Sequence, residues 1–183
     1  MGINVGVLAF QGAFKEHKDW LDRCSCKSIE VRTLQDIAQV THLIIPGGES
    51  TVIGKELRRT GMDEVISERF GSNDLKLLGT CAGAILMGNS DSEYSMGLID
   101  VDLKRNAYGA QVHSFASEID FEGSKMEAVF IRAPIIDKCG ESVKVLACQG
   151  GKPVLCADEN IMISTFHPEL TDSPHIAKYF LNL

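Results

Sequence analysis

The sequence predicts an α/β fold: a mostly parallel central sheet with helices on both faces and an antiparallel extension. Three observations predict it. Short apolar runs alternate with helical patterns through the first half of the chain, as in a parallel sheet covered on both sides. Residues 97–165 instead carry strand-like runs with few helical segments between them. The 183 residues, 44% of them apolar, suit one sizeable core. No linker, repeat or low-complexity stretch interrupts them, so a single domain over 1–183 is expected.

The elements follow in order. Residues 4–10 form a Val-rich run expected as the first strand, ending at Gln11-Gly12. The period then shifts to 3.6, with Phe14, His17 and Leu21 on one side of a helix expected over 13–23. Strands are expected at 29–33 and 42–45, the latter stopped by Pro46-Gly47-Gly48. Ser50 or Thr51 is placed to cap a helix running to about residue 59. Residues 63–70 read as a further helix, 75–79 as a fourth strand and 81–88 as the start of another helix. Runs at 97–103, 128–131, 143–148, 154–157 and 161–165 read as an antiparallel excursion attached to the same sheet. A helix over 173–181 closes the chain.

Composition narrows the function. The formal net charge is −7, and no basic run exceeds Arg58-Arg59, so a nucleic-acid partner is not expected. The apolar runs are too short to span a bilayer, and the N-terminal pattern is not that of a signal peptide. A cytoplasmic setting is expected, with free thiols. The six cysteines form no C-x-x-C pair, so neither a zinc site nor any other metal site is expected. Cys24, Cys26, Cys139, Cys148 and Cys156 read as small, often buried hydrophobes.

Cys81 is different. In Leu77-Leu78-Gly79-Thr80-Cys81-Ala82-Gly83-Ala84 an apolar strand runs into Gly-x-Cys-x-Gly and then a helical pattern, the cysteine counterpart of a nucleophile elbow. Gly79 and Gly83 remove Cβ atoms where backbones approach. The turn presents the sulfur at the carboxyl edge of the sheet, where ligands bind in open α/β folds. The helix start favours a thiolate, and the Ala82 N–H becomes a candidate oxyanion donor. A buried Cys in a Gly-flanked turn is the plain alternative.

The strand at 161–165 ends in His167-Pro168-Glu169. Pro168 pushes His167 toward an extended conformation, so residues 167 and 169 are expected on one side. Glu169 can then hold the second ring nitrogen and fix the tautomer. His17, His42, His113 and His175 have no carboxylate two residues away in such a setting, which leaves His167 as the base if Cys81 is a nucleophile. A solvated turn with no partner is the alternative. In Pro46-Gly47-Gly48-Glu49-Ser50-Thr51 the glycines let backbone N–H groups face a carbonyl, and Gly48 is the candidate second oxyanion donor. The spacing excludes a P-loop. Arg105 and Arg132, each after a strand-like run, are candidates to grip a carboxylate, against the alternative of solvated surface arginines.

Taken together, these segments resemble the class I (triad) glutamine amidotransferases, with their flavodoxin-like three-layer sandwich. Gly-Thr-Cys-Ala-Gly at 79–83 and His-Pro-Glu at 167–169 are shared with that wider class. The Gln-Gly-Ala start at 11–13, Pro-Gly-Gly-Glu-Ser-Thr at 46–51, Arg-Asn-x-x-Gly at 105–109 and Phe-Ile-Arg-Ala-Pro at 130–134 resemble the glutaminase subunits of the pyridoxal 5′-phosphate synthase complex. The resemblance covers essentially the whole chain. It implies hydrolysis of L-glutamine to L-glutamate and ammonia through a glutamyl thioester, without a cofactor, with Cys81 as nucleophile, His167 as base and Glu169 orienting it. It implies that Gly48, Glu49, Ser50, Arg105, Ile131 and Arg132 contact glutamine and that Gln11 lies near a partner interface. The implied partner is a (β/α)₈-barrel synthase subunit that consumes the ammonia within a large hetero-oligomer and activates a nearly silent glutaminase. Ala110 stands where the family usually has Arg, and Phe10 where Leu is more usual. Two other readings share the features: a cysteine hydrolase or peptidase of the same architecture, and an inert regulatory subunit. Retention of Cys81, His167 and Glu169 argues against the second.

Overall fold

The computed structural model describes residues 2–105 and 114–183. In chain order the elements are β1 (Val5–Leu8), α1 (Phe14–Arg23), β2 (Ser28–Val31), α2 (Leu34–Ile37), β3 (His42–Ile45), α3 (Ser50–Thr60), α4 (Met62–Gly71) and β4 (Lys76–Thr80). There follow α5 (Ala82–Met87), β5 (Val101–Lys104), β6 (Phe115–Phe121), β7 (Ser124–Phe130), β8 (Ile135–Cys139), β9 (Lys144–Gln149), β10 (Lys152–Asp158) and β11 (Ile161–Ser164). A 3₁₀ turn, Pro168–Leu170, and α6 (His175–Leu181) complete the chain.

Seven strands form the central sheet in the order β2-β1-β3-β4-β11-β10-β9. The first five are parallel, and β10 and β9 extend the sheet antiparallel. With β11 as fifth strand this is the flavodoxin order 2-1-3-4-5, whose switch point lies between β1 and β3. The central strands are apolar throughout because both faces are covered. Leu43, Ile45, Leu77, Ile161 and Ile163 face one core, shared with Ile53 and Leu57 of α3 and with Met62 and Ile66 of α4. Ile44, Leu78 and Met162 face the other, with Trp20 and Leu21 of α1 and Phe180 of α6. That alternation gives the expected three layers.

The antiparallel excursion differs from expectation. Of the runs expected in it, 161–165 is corrected: as β11 it joins the central sheet parallel to β4. β9 and β10 join that sheet antiparallel, while β5 pairs with β8, and β6 with β7, as separate two-stranded sheets. Each of these strands has one buried and one polar edge, so it covers the main sheet rather than extending it. Val101, Leu103 and Ile136 enter the first core, and Ile119, Phe121, Met126 and Phe130 the second. The sequence reading missed β6, β8 and the short α2. The β6–β7 hairpin turns at Glu122 and Gly123, φ 50° and 77°, a two-residue turn usually signalled by Asn-Gly or Asp-Gly. The expected Ser50 or Thr51 cap is also corrected: Glu49 holds the N-cap position of α3 without a side-chain cap bond. Among the described residues a capping box forms at α2, between Thr33 and Asp36.

Candidate active site

Four parallel strands deliver the site at their carboxyl ends. After β1 come Gln11 and Gly12, after β3 Gly47 and Gly48, after β4 Cys81, and after β11 His167. All six line one cleft of about 690 Å³, a size suited to a small ligand. Ala82, Glu49, Ser50, Arg105, Ile131 and Arg132 line it too. The structure thus gathers the site residues expected from sequence around one opening, except Glu169, which lies behind the His167 ring.

Cys81 stands at the N-cap of α5 with φ 49° and ψ −99°, a backbone conformation rare for a residue with a side chain. Its N–H donates to the Ser164 carbonyl, 2.8 Å, tying the turn to β11. A Cβ on Gly83 would collide with the Ile45 carbonyl, so the elbow closes only with glycine there. The thiol is 7% exposed and lies 3.7 Å from the Ile131 carbonyl. As the first helical residue, Ala82 carries an N–H without an intrahelical acceptor.

His167 is anchored by its own N–H, which donates to the Val129 carbonyl, 2.8 Å. Its Nδ1 lies 2.7 Å from Glu169 Oε1. The expected extended His-Pro-Glu is corrected: residues 168–170 form a 3₁₀ turn with proline at its start, where a missing N–H costs nothing. The turn brings the carboxylate back under the ring. Burial of the imidazole works against a proton, but hydrogen bonds with Cys81 and Glu169, and the charges of both, raise it to about 10. Burial works to raise the Glu169 carboxyl, yet the charge of His17 and the hydrogen bond and charge of His167 pull it below the ordinary range.

Gly47 and its neighbours form the opposite wall. The Gly47 carbonyl accepts from the Ala13 N–H, 3.0 Å, so the Gly48 N–H on the same planar peptide points the other way. Gln11 Oε1 accepts from the Glu49 N–H, 2.8 Å, locking the β1 and β3 turns together. Arg105 Nε donates to Asp91 Oδ1, 2.9 Å, and Arg132 is exposed with φ 46°. The rest of the motif after Arg105, together with His113 and the Ala110 departure, lies outside the described residues. Phe10 is half-buried against the first core.

Sequence reasoning missed Gly47, Thr80 and His17. His17 is wholly buried, 3.4 Å from Glu169 Oε2 and 3.3 Å from Thr80 Oγ1. The signal was present: a histidine on the apolar side of α1, in register with Trp20 and Leu21. The other cysteines only partly fit the buried reading. Cys148 is exposed, Cys24, Cys26 and Cys139 are half-buried, and Cys156 lies 3.7 Å from Cys139, sulfur to sulfur. Burial and the neighbouring Cys139 push the Cys156 thiol far up. Among the described residues no helix is long and apolar enough to cross a membrane.

Comparison with known proteins gives a consistent result. Residues 7–183 match the SNO glutamine amidotransferase family. A Thermus thermophilus protein named pyridoxal 5′-phosphate synthase subunit PdxT is 45% identical over 184 residues, covering 98% of this chain and 96% of that protein. A Streptococcus pneumoniae protein of the same name is 42% identical, covering 99% and 97%. A crystal structure of a glutamine amidotransferase superposes with a TM-score of 0.93 at 42% identity, covering 99% of this chain and 98% of that one. PurLQS from Thermotoga maritima, at 16% identity and a TM-score of 0.71, shares the fold alone. A match along nearly the whole length, with relatives above 40% identity, establishes that the chain belongs to the SNO glutamine amidotransferase family.

Proposed function

We propose that this chain, as one domain over 1–183, is the glutaminase of a pyridoxal 5′-phosphate synthase, releasing ammonia from L-glutamine for vitamin B6 biosynthesis. The observation that carries the reading is the convergence of Cys81, His167 and Glu169 at one rim, from adjacent parallel strands, in a chain of this family. An imidazole raised to about 10 supports His167 as the group that takes or already holds the thiol proton.

The Cys81 thiolate attacks the side-chain amide carbon of glutamine. Gly48 and Ala82 N–H groups stabilise the oxyanion, each such donor accounting for roughly 10²–10³ in rate. His167 hands its proton to the departing nitrogen, and ammonia leaves as the thioester forms. His167 then takes a proton from water, which attacks the thioester, and glutamate departs with the thiol restored. Glu169 keeps the ring oriented throughout. Arg105 and Arg132 hold the α-carboxylate end, with Glu49, Ser50 and Ile131 completing the grip.

The ammonia goes to a synthase subunit, a (β/α)₈ barrel in a cytoplasmic hetero-oligomer, which docks near Gln11. The Gln11–Glu49 bond supports that placement, since it joins the docking turn to the loop carrying Gly48. The test is ammonia release from glutamine with and without the synthase subunit. Cys81→Ala should abolish release and keep the fold. Retained activity in that variant would refute the assignment, and equal rates with and without the partner would refute the coupling.

A further inference from the structure

The carboxylate of Glu169 is held at two ends. Oε1 meets His167 Nδ1 at 2.7 Å. Oε2 is buried, forms no hydrogen bond among the described residues, and has His17 Nε2 at 3.4 Å. Both side chains are fully buried. A buried carboxylate oxygen without a partner is costly, so what faces it matters. His17 Nδ1 lies 2.9 Å from the Ala13 carbonyl, which accepts only, so that nitrogen carries a proton. Nε2 stands 3.4 Å from Oε2, the ring atom placed to hold that oxygen.

The contact continues to the opposite wall. His17 Nε2 is 3.3 Å from Thr80 Oγ1, and Thr80 Oγ1 accepts from the Gly47 N–H at 3.0 Å. Thr80 directly precedes Cys81. Helix α1 also grips the chain around Glu169 from outside: Arg23 Nη2 donates to the Glu169 and Thr171 carbonyls, and Trp20 Nε1 to the Ser173 carbonyl. His17, Trp20 and Arg23 follow at spacings of three, so they share one helix face.

We propose that His17 is a positioning residue of this glutaminase: it holds the free oxygen of Glu169, so that the other stays on His167, and through Thr80 it ties this to the Gly47 turn. The inference rests on the triad reading. The charged or titratable side chains facing the Glu169 carboxylate are His167 from the β11 end and His17 from α1; Arg23 reaches only the Glu169 carbonyl. His17 does not line the cleft. Its loss should therefore lower kcat and leave KM for glutamine nearly unchanged.

Three variants of the full chain, assayed with the synthase subunit, test this. His17→Gln keeps an N–H donor in reach of Oε2; His17→Asn keeps only the end near Ala13; His167→Asn removes the ring itself. At metal-bound histidines, loss of the outer partner costs about 10–100-fold in activity, and a loss of that order is expected here. His17→Asn should lose that much in kcat, His17→Gln should recover most of it, and the downfield NMR signal of the His167 Nδ1–H should shift in His17→Asn alone of the two. A merely structural His17 would lower the melting temperature and leave that signal in place. An unshifted signal in His17→Asn, or unchanged kcat, overturns the proposal while an inactive His167→Asn leaves the triad standing. An active His167→Asn overturns both.

Discussion

The His167 imidazole occupies the space where Gly47 would carry a side chain. A Cβ at 47 would stand 2.5 Å from Cε1 and 3.2 Å from Nδ1 of that ring, and 3.4 Å from Cys81 Cβ. Gly47→Ala must therefore displace the ring or the turn. The variant should fold, with an unchanged far-UV spectrum, and lose about 100-fold in ammonia release, the typical cost of moving reacting groups by about 1 Å. Wild-type turnover would show that the ring tolerates the shift.

The backbone of Cys81 gives a second expectation. With φ 49° and ψ −99° it holds a strained conformation, at a cost of about 1–3 kcal/mol for a residue with a Cβ. Glycine escapes that strain and gives back roughly 0.5–1 kcal/mol in chain entropy. Both Cys81→Gly and Cys81→Ala should be inactive, but Cys81→Gly should be the more stable by about 1 kcal/mol in urea titration. The reverse order would mean that the elbow is unstrained.

The thiol–imidazole pair can be read by alkylation. With the ring raised to about 10 beside the sulfur, iodoacetamide should label Cys81 rapidly at pH 7. His167→Asn should slow that labelling at least about tenfold, since only the thiolate reacts. Equal rates in the two proteins would detach His167 from the sulfur.

Glu169 sets a pH dependence of stability. Its folded carboxyl lies below the ordinary value of about 4.3, so it releases its proton more readily folded than unfolded. The resulting stabilisation is present above about 4.3 and is lost as the pH falls through the lower folded value. The gap in melting temperature between wild type and Glu169→Gln should hold from pH 6 to pH 5 and close on further acidification. A gap that widens toward acid would reverse the sign.

Much of this was written in local sequence. The strands at β1, β3, β4 and β11 announce themselves because both faces are buried and their apolar runs are unbroken. The Gly-x-Cys-x-Gly elbow is local by nature, since its glycines answer to contacts a few residues away. What stayed hidden depended on partners distant in the chain. The antiparallel strands β6 and β8 bury one face only, and a Glu-Gly turn masked their hairpin neighbour. Glu169 was expected beneath His167 for the wrong local reason, extension instead of a 3₁₀ turn. His17 is not legible as a site residue because the carboxylate it meets, Glu169, comes from the far end of the chain.

The pairing of β4 with β11 has a wider consequence. Thr80 stands opposite Ser164 in that ladder, so the gap between sulfur and imidazole is set by hydrogen-bonded neighbours and not by the length of chain joining them. Of the described stretch between them, β9 and β10 belong to that frame beside β11, whereas the β5–β8 and β6–β7 pairs are hung from it and meet the reactive pair along the 129–132 edge.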